Sequence, residues 1–135
     1  MQGLANGILT KGEKVCFLHL DAHTDVFTKV DHFLGAEKSA AHWGAYLADQ
    51  GMVDPSHSIQ IGLRGHPRTL DWLQPSYDYG YNVSTMKEYR QRGSTEVIQQ
   101  IKTVLNDRPI YITFDLDCLD PVSYTHLRAH ETNVD

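Results

Sequence analysis

Cysteine is scarce in this chain: two of 135 residues, Cys16 in an apolar run and Cys118 among carboxylates. Two such positions do not make a disulfide scaffold, and they suit a reducing, cytoplasmic compartment. No apolar run approaches the ~20 residues that a membrane helix needs, and no charged-then-apolar segment of the secretion type opens the sequence. Basic clusters are missing too. With 12 Lys+Arg against 17 Asp+Glu and a formal net charge of -5, the chain lacks the footprint of a nucleic-acid binder. Repeats and low-complexity tracts are likewise absent. What remains, 41% hydrophobic and 21% charged, is the composition of an ordinary single globular domain. Histidine is the exception, at eight residues, so the places where it falls matter.

Residues 15–20, Val-Cys-Phe-Leu-His-Leu, form a short apolar run that stops abruptly at Asp21-Ala-His-Thr-Asp25. Such a run reads as a buried strand of a parallel sheet ending in a functional loop. Ala41, Ala45 and Ala48 fall at helical spacing within residues 37–50, and Gly51 supplies a stop. Residues 59–63 read as a second strand, 70–73 as a short helix ended by Pro75, and 82–84 as a weak third strand. Val97, Ile98, Ile101, Val104 and Leu105 make one apolar stripe, which predicts a helix over 95–105 with Ser94 or Thr95 at its cap. Asn106-Asp-Arg-Pro109 breaks it, and the β-prone residues 110–114 follow, ending in Asp115-Leu-Asp-Cys-Leu-Asp120-Pro121. Strands alternating with helices imply βαβ crossovers and a parallel sheet, an α/β fold. In such sheets ligands bind beyond the carboxyl ends of the strands, where both acidic segments fall.

Asp21, His23 and Asp25 occupy alternate positions, so an extended backbone past Leu20 projects all three to one side. Asp115 and Asp117 repeat that pattern at another strand end. If the two strands lie close together, four carboxylates and an imidazole converge, and so much negative charge calls for compensation. Divalent cations supply it, and an oxygen-rich set with one nitrogen suits manganese or a related first-row ion. A lone Asp-x-His-x-Asp is more often a solvated loop. Two acidic clusters at two strand ends are harder to explain that way and point to a metal site.

These segments carry a family resemblance. Asp21-Ala-His-Thr-Asp25 and Phe114-Asp-Leu-Asp-Cys-Leu-Asp-Pro121 resemble two signature motifs of the ureohydrolases, the arginase and agmatinase family. Ser58-Ile-Gln-Ile-Gly-Leu-Arg-Gly65, shortly after Val53-Asp-Pro55, is similar to the agmatinase-type branch. The resemblance implies a three-layer α/β/α sandwich, incomplete here, and a centre of two Mn2+ per intact subunit. It also implies hydrolysis of a guanidino compound to urea and an amine by a metal-bridging hydroxide. By the same resemblance Asp21 and Asp115 bridge the metals, Asp25 completes one shell, His23 and Asp117 bind the other metal, and Asp120 supports. The implied partners are a small guanidino substrate and further copies of the chain, as a trimer or hexamer, with no nucleic acid and no membrane.

The family's upstream metal-binding histidine segment has no counterpart before Asp21, so residues 1–121 are expected to be a partial core, inactive alone. Residues 122–135 resemble a translated sequencing adaptor and are expected to be a non-native tail, which removes weight from the i, i+4 pair His126 and His130. His42 lies near the position where the family has a proton-shuttling histidine, although ungapped counting places Ala40 there. Proton shuttle and ordinary helix histidine both remain open for it. His32 is a weaker candidate, His19 is expected to be packed or to support a ligand, and His57 and His66 to face solvent. Trp43 is expected in the core and Arg64 in a surface ion pair. Two alternatives stand beside the hydrolase: a single-zinc deacylase of the same fold, which needs fewer carboxylates, and a catalytically inactive homologue acting as a binding or regulatory subunit.

Overall fold

The computed structural model describes residues 3, 7, 12–28, 40–64 and 70–119. Among them four strands, β1 (Cys16–Leu20), β2 (Ile59–Leu63), β3 (Asn82–Thr85) and β4 (Ile110–Phe114), form one parallel sheet in the order β3-β2-β1-β4. β4, last in the chain, lies beside β1 in the register Cys16↔Ile110 through Leu20↔Phe114. The carboxyl ends of β1 and β4 are therefore level, and β2 runs two residues further. Asp21 N–H donates to Ile61 O at 3.1 Å, and Asp115 N–H donates to Leu20 O at 2.9 Å.

Alternation along β1 sends its side chains to opposite faces. Cys16, Leu18 and Leu20, with Ile59 and Ile61 of β2, pack against Val97, Ile101, Val104 and Leu105 of helix α3 (Met86–Leu105). Phe17 points the other way, into Val15, Val26, Val53 and Tyr81 together with Ala45 and Leu47 of helix α1 (Trp43–Asp49). The short helix α2 (Gln74–Tyr79) adds Tyr79 to that second cluster. Helix, sheet and helix make the three layers that the sequence implied.

The element boundaries carry three corrections. Pro75 opens α2 instead of ending a helix over 70–73, because proline fits a first turn, where its missing N–H has no intrahelical partner anyway. Within the expected helix 37–50, the described residues 40–42 form a 3-10 turn, and the α-helix begins only at Trp43. The loop after β1 captures the backbone there: Phe27 N–H donates to Ala41 O at 3.0 Å and Gly44 N–H to Asp25 O at 2.9 Å. The helix expected over 95–105 is the second half of α3, which breaks at Gly93 with φ of 80°. Its first half has little apolar periodicity and is started by a capping box, Thr85 Oγ1 accepting from Glu88 N–H at 3.2 Å while Glu88 Oε2 accepts from Thr85 N–H at 2.7 Å.

On the α3 face, β4 lies beyond the helix, leaving Ile112 61% and Phe114 53% exposed along the sheet edge. Among the described residues no helix is long and apolar enough to cross a membrane.

Candidate metal centre

Asp21 stands one residue past β1, and its side chain is almost fully buried. Oδ1 accepts from the His23 N–H at 2.7 Å, and Oδ2 accepts from His19 Nε2 at 2.8 Å. The first bond closes a tight turn in which a side chain replaces a backbone acceptor. The chain is bent rather than extended past Leu20, and Asp25 reaches φ of 50°, a region that aspartate tolerates better than most residues. The alternate spacing of 21, 23 and 25 therefore does not place all three on one side. It splits them. Donor atoms of His19, Asp21 and Asp25 lie within 4.8 Å of one another, as do those of Asp21, His23 and Asp117. Asp21 belongs to both groups.

Asp117 arrives from the far end of the chain, 95 residues from Ala22 in sequence. Its Oδ1 accepts from Ala22 N–H at 3.1 Å, and its Oδ2 lies 2.8 Å from His23 Nδ1. The two acidic segments thus meet. Asp115 does not repeat the geometry of Asp21: its exposed carboxylate caps the 3-10 turn Leu116–Cys118, Oδ1 accepting from Asp117 N–H at 2.9 Å. Its side chain stands outside both donor groups. Asp120, His32, His66, His126, His130 and the tail lie outside the described residues.

Crowded acids show their cost at Asp25. Burial first, and then the charge of Asp21, push its carboxyl up to about 6, against the pull of the Trp43 indole N–H and of His19 and His23. The indole nitrogen donates to Asp25 Oδ2 at 2.7 Å. Carboxylates and imidazoles gathered on one shared, buried acid, with His23 at the exposed side and Asp25 and Asp117 half-buried, are a donor set for divalent cations with a taste for oxygen and nitrogen. The neighbouring Cys118 is not in either donor group, and burial, then Asp117, raises its thiol, which disfavours the thiolate that softer metals select. The residues fit a cation pair.

The model of the arginase family matches residues 1–125. The chain belongs to the arginase family. It is 32% identical over 108 residues to the agmatinase of Serratia proteamaculans and 35% identical over 108 residues to that of Escherichia coli, in each case over 80% of this chain and 31% of the relative. The chain thus spans about a third of the length of the curated relatives it matches. Among solved structures, proclavaminate amidino hydrolase from Streptomyces clavuligerus superposes with a TM-score of 0.74 at 27% identity, covering 87% of this chain and 38% of that one.

Within this arginase-family chain, three further polar residues belong to the centre: His19, expected to be packed or to support a ligand, and two that the sequence had not assigned to it, Gln60 and Arg64. His19 is buried beneath Asp21. Its Nδ1 faces Gln60 Nε2 at 3.1 Å, so Nδ1 accepts and Nε2–H donates to Asp21. Gln60 Nε2 also donates to Thr24 O at 2.6 Å, tying the acidic loop to β2. The signal for both was present: His19 precedes Asp21 by two in a period-2 strand, and Gln60 is a polar residue within an apolar one. Arg64 is the third. Instead of a surface ion pair it donates to the backbone carbonyls of Gly62, Asp117, Cys118 and Leu119. Trp43 packs edge-on to Phe17 and His19, each at 5.0 Å between ring centroids, as well as holding Asp25. His42 lies in the turn just before Trp43, partly buried. His57 is only partly exposed and bonds to Asp54 through Nδ1 at 2.9 Å.

Proposed function

We propose that this chain carries part of the active centre of a ureohydrolase that cleaves a guanidino compound of the agmatine type to urea and an amine, with two Mn2+ as cofactors. The observation that carries the reading is the position of Asp21, whose carboxylate is common to two donor groups built from both acidic segments. Family membership and the agmatinase relatives support the reaction class. In this reading Asp21 and Asp115 would serve both cations, Asp25 would serve one, and His23 and Asp117 would serve the other. Asp115, which caps the turn Leu116–Cys118 here, would have to leave that cap to join them. Asp120 supports the segment.

Bound there, two divalent cations supply a hydrolytic nucleophile near neutral pH and stabilise developing charge. The chain's own residues do the rest. The Trp43 indole orients Asp25, His19 holds Asp21 by a hydrogen bond from Nε2–H, and Ala22 N–H fixes Asp117. His42 is assigned the transfer of a proton to the leaving amine. The chain acts as one section of a longer, cytoplasmic homo-oligomeric enzyme, a trimer or hexamer, with residues 122–135 outside its core.

Mn2+ titration followed by calorimetry and by the spin resonance of free Mn2+ tests the cofactor. The expected stoichiometry is two ions per chain, falling to none in Asp21→Asn and to one in Asp25→Asn. Equal loss in both variants overturns the shared role of Asp21. Urea release across agmatine, arginine and guanidinobutyrate, assayed in the longer protein, tests the reaction; release from none of the three refutes it.

A further inference from the structure

We infer that Arg64 is a positioning residue for Asp117: it fastens the two acidic segments to each other through the end of β2. Its backbone N–H donates to Ala22 O at 2.9 Å, holding the first segment. Its guanidinium reaches the second, with NH2 donating to Asp117 O at 2.7 Å and to Leu119 O, and NH1 donating to Cys118 O at 3.1 Å. NH1 also donates to Gly62 O at 3.1 Å, which anchors the side chain to the strand it leaves. Three consecutive carbonyls of one turn therefore converge on a single cation.

The turn needs such a fastener. Leu116–Cys118 is a 3-10 turn of three residues whose internal bonds are the Asp115 cap, Cys118 N–H to Asp115 O at 3.1 Å and Leu119 N–H to Leu116 O at 3.1 Å. Those bonds fix its shape, and Asp115 N–H to Leu20 O at 2.9 Å holds only its start against the sheet. Arg64 ties it to β2, and the tie delivers the Asp117 carboxylate to Ala22 N–H and His23 Nδ1. Only a planar fork can serve carbonyls spread in this way; the ammonium of lysine is a compact point charge on a flexible stem. For cation binding, this role rests on the proposed metal centre. For the placement of Asp117 it stands on the geometry alone.

Amide hydrogen exchange at Ala22 in the metal-free chain reads the placement directly, because that N–H is held by Asp117 Oδ1. In Arg64→Met, Ala22 is expected to exchange at least about tenfold faster while Leu18 and Ile61 in the sheet keep their rates. Asp117→Ala should give the same acceleration, and Arg64→Met placed on Asp117→Ala should add nothing. Mn2+ titration of the same set should show one of two sites weakened about ten- to hundredfold in Arg64→Met, again without further loss on the Asp117→Ala background. Arg64→Lys, which keeps the charge and loses the fork, should behave like Arg64→Met, and it replaces that variant should the methionine protein fail to fold. An unchanged Ala22 rate in the folded variant, or losses that add to those of Asp117→Ala, overturns the inference. If the unmodified chain takes up no Mn2+, the metal reading falls and Ala22 exchange alone decides the role of Arg64.

Discussion

Removing one negative charge from the acidic centre should stabilise the metal-free protein. The Asp25 carboxyl sits at about 6 against an ordinary 3.8, burial being the larger cause and the Asp21 charge the next. The folded state therefore holds a proton that the unfolded chain has released, across the window between those values. With more protons bound by the folded state, stability falls as pH rises from about 4 to about 6 and stays low above it. Two units correspond to about 3 kcal/mol. The carboxylate is only 20% exposed, so little of this is lost to solvent, but Asp21 shares it, and about 3 kcal/mol is the ceiling. Asp25→Asn keeps the shape and an acceptor for the Trp43 N–H while abolishing the charge. Urea denaturation of metal-free protein at intervals from pH 4 to 8 should show the two proteins alike near pH 4. Above pH 6 the variant should be more stable by about 1–3 kcal/mol. Mn2+ at a hundred times its Kd should offset that advantage, adding about 2.7 kcal/mol to the unmodified chain and less to the variant. A variant less stable than the parent at pH 7 without metal would refute the reasoning.

Gly62 has φ of 93° at the register shift in β2, and a Cβ there would stand 3.3 Å from Asp21 O. Gly62→Ala should cost about 1–3 kcal/mol in chemical denaturation, from backbone strain and crowding of the Asp21 carbonyl; an unchanged midpoint would show that the bulge relaxes freely. Phe17 is 2% exposed and meets Trp43 edge-on at 5.0 Å and Tyr81 stacked at 6.4 Å. Phe17→Ala should cost about 3–5 kcal/mol and loosen the indole that holds Asp25, seen as a shift in Trp43 fluorescence; a loss below about 1 kcal/mol would place the core elsewhere.

Much of the sheet was legible because three of the four strands are short, mostly apolar runs ended by a polar or turn-forming break, and the stripe through Val97, Ile101 and Leu105 has only one helical reading. What escaped was set at α1 by a partner distant in sequence and at α3 by a local cap in a stretch with little apolar periodicity. The start of α1 depends on Asp25 O capturing Gly44 N–H, and the first half of α3 rests on a capping box more than on an apolar stripe. At the site, the residue types were readable and their geometry was not. Spacing alone put Asp21, His23 and Asp25 on one side, whereas the Asx turn at Asp21 and the left-handed Asp25 divide them between two groups. Arg64 was unreadable for the same reason. Its partners are carbonyls, which every residue has.

The location of the centre follows from the order in which the strands are laid down. From β1 the chain moves outward through β2 to β3, then returns across the sheet to place β4 on the other side of β1. A right-handed crossover puts its helix on one face when the chain moves one way and on the opposite face when it moves back. That is why α1, between β1 and β2, and α3, between β3 and β4, lie on opposite faces. Between β1 and β4 the direction in which strands are added changes, and in open α/β sheets ligands bind beyond the carboxyl ends at such a switch point. Asp21–Asp25 and Asp115–Asp117 leave from those two strands, with β2 close enough to contribute Gln60 and Arg64 to their support. Acids on any other pair of neighbouring ends would have a crossover above them. Here the two acidic segments meet at neighbouring strand ends, and the mutual repulsion of their carboxylates favours cations between them.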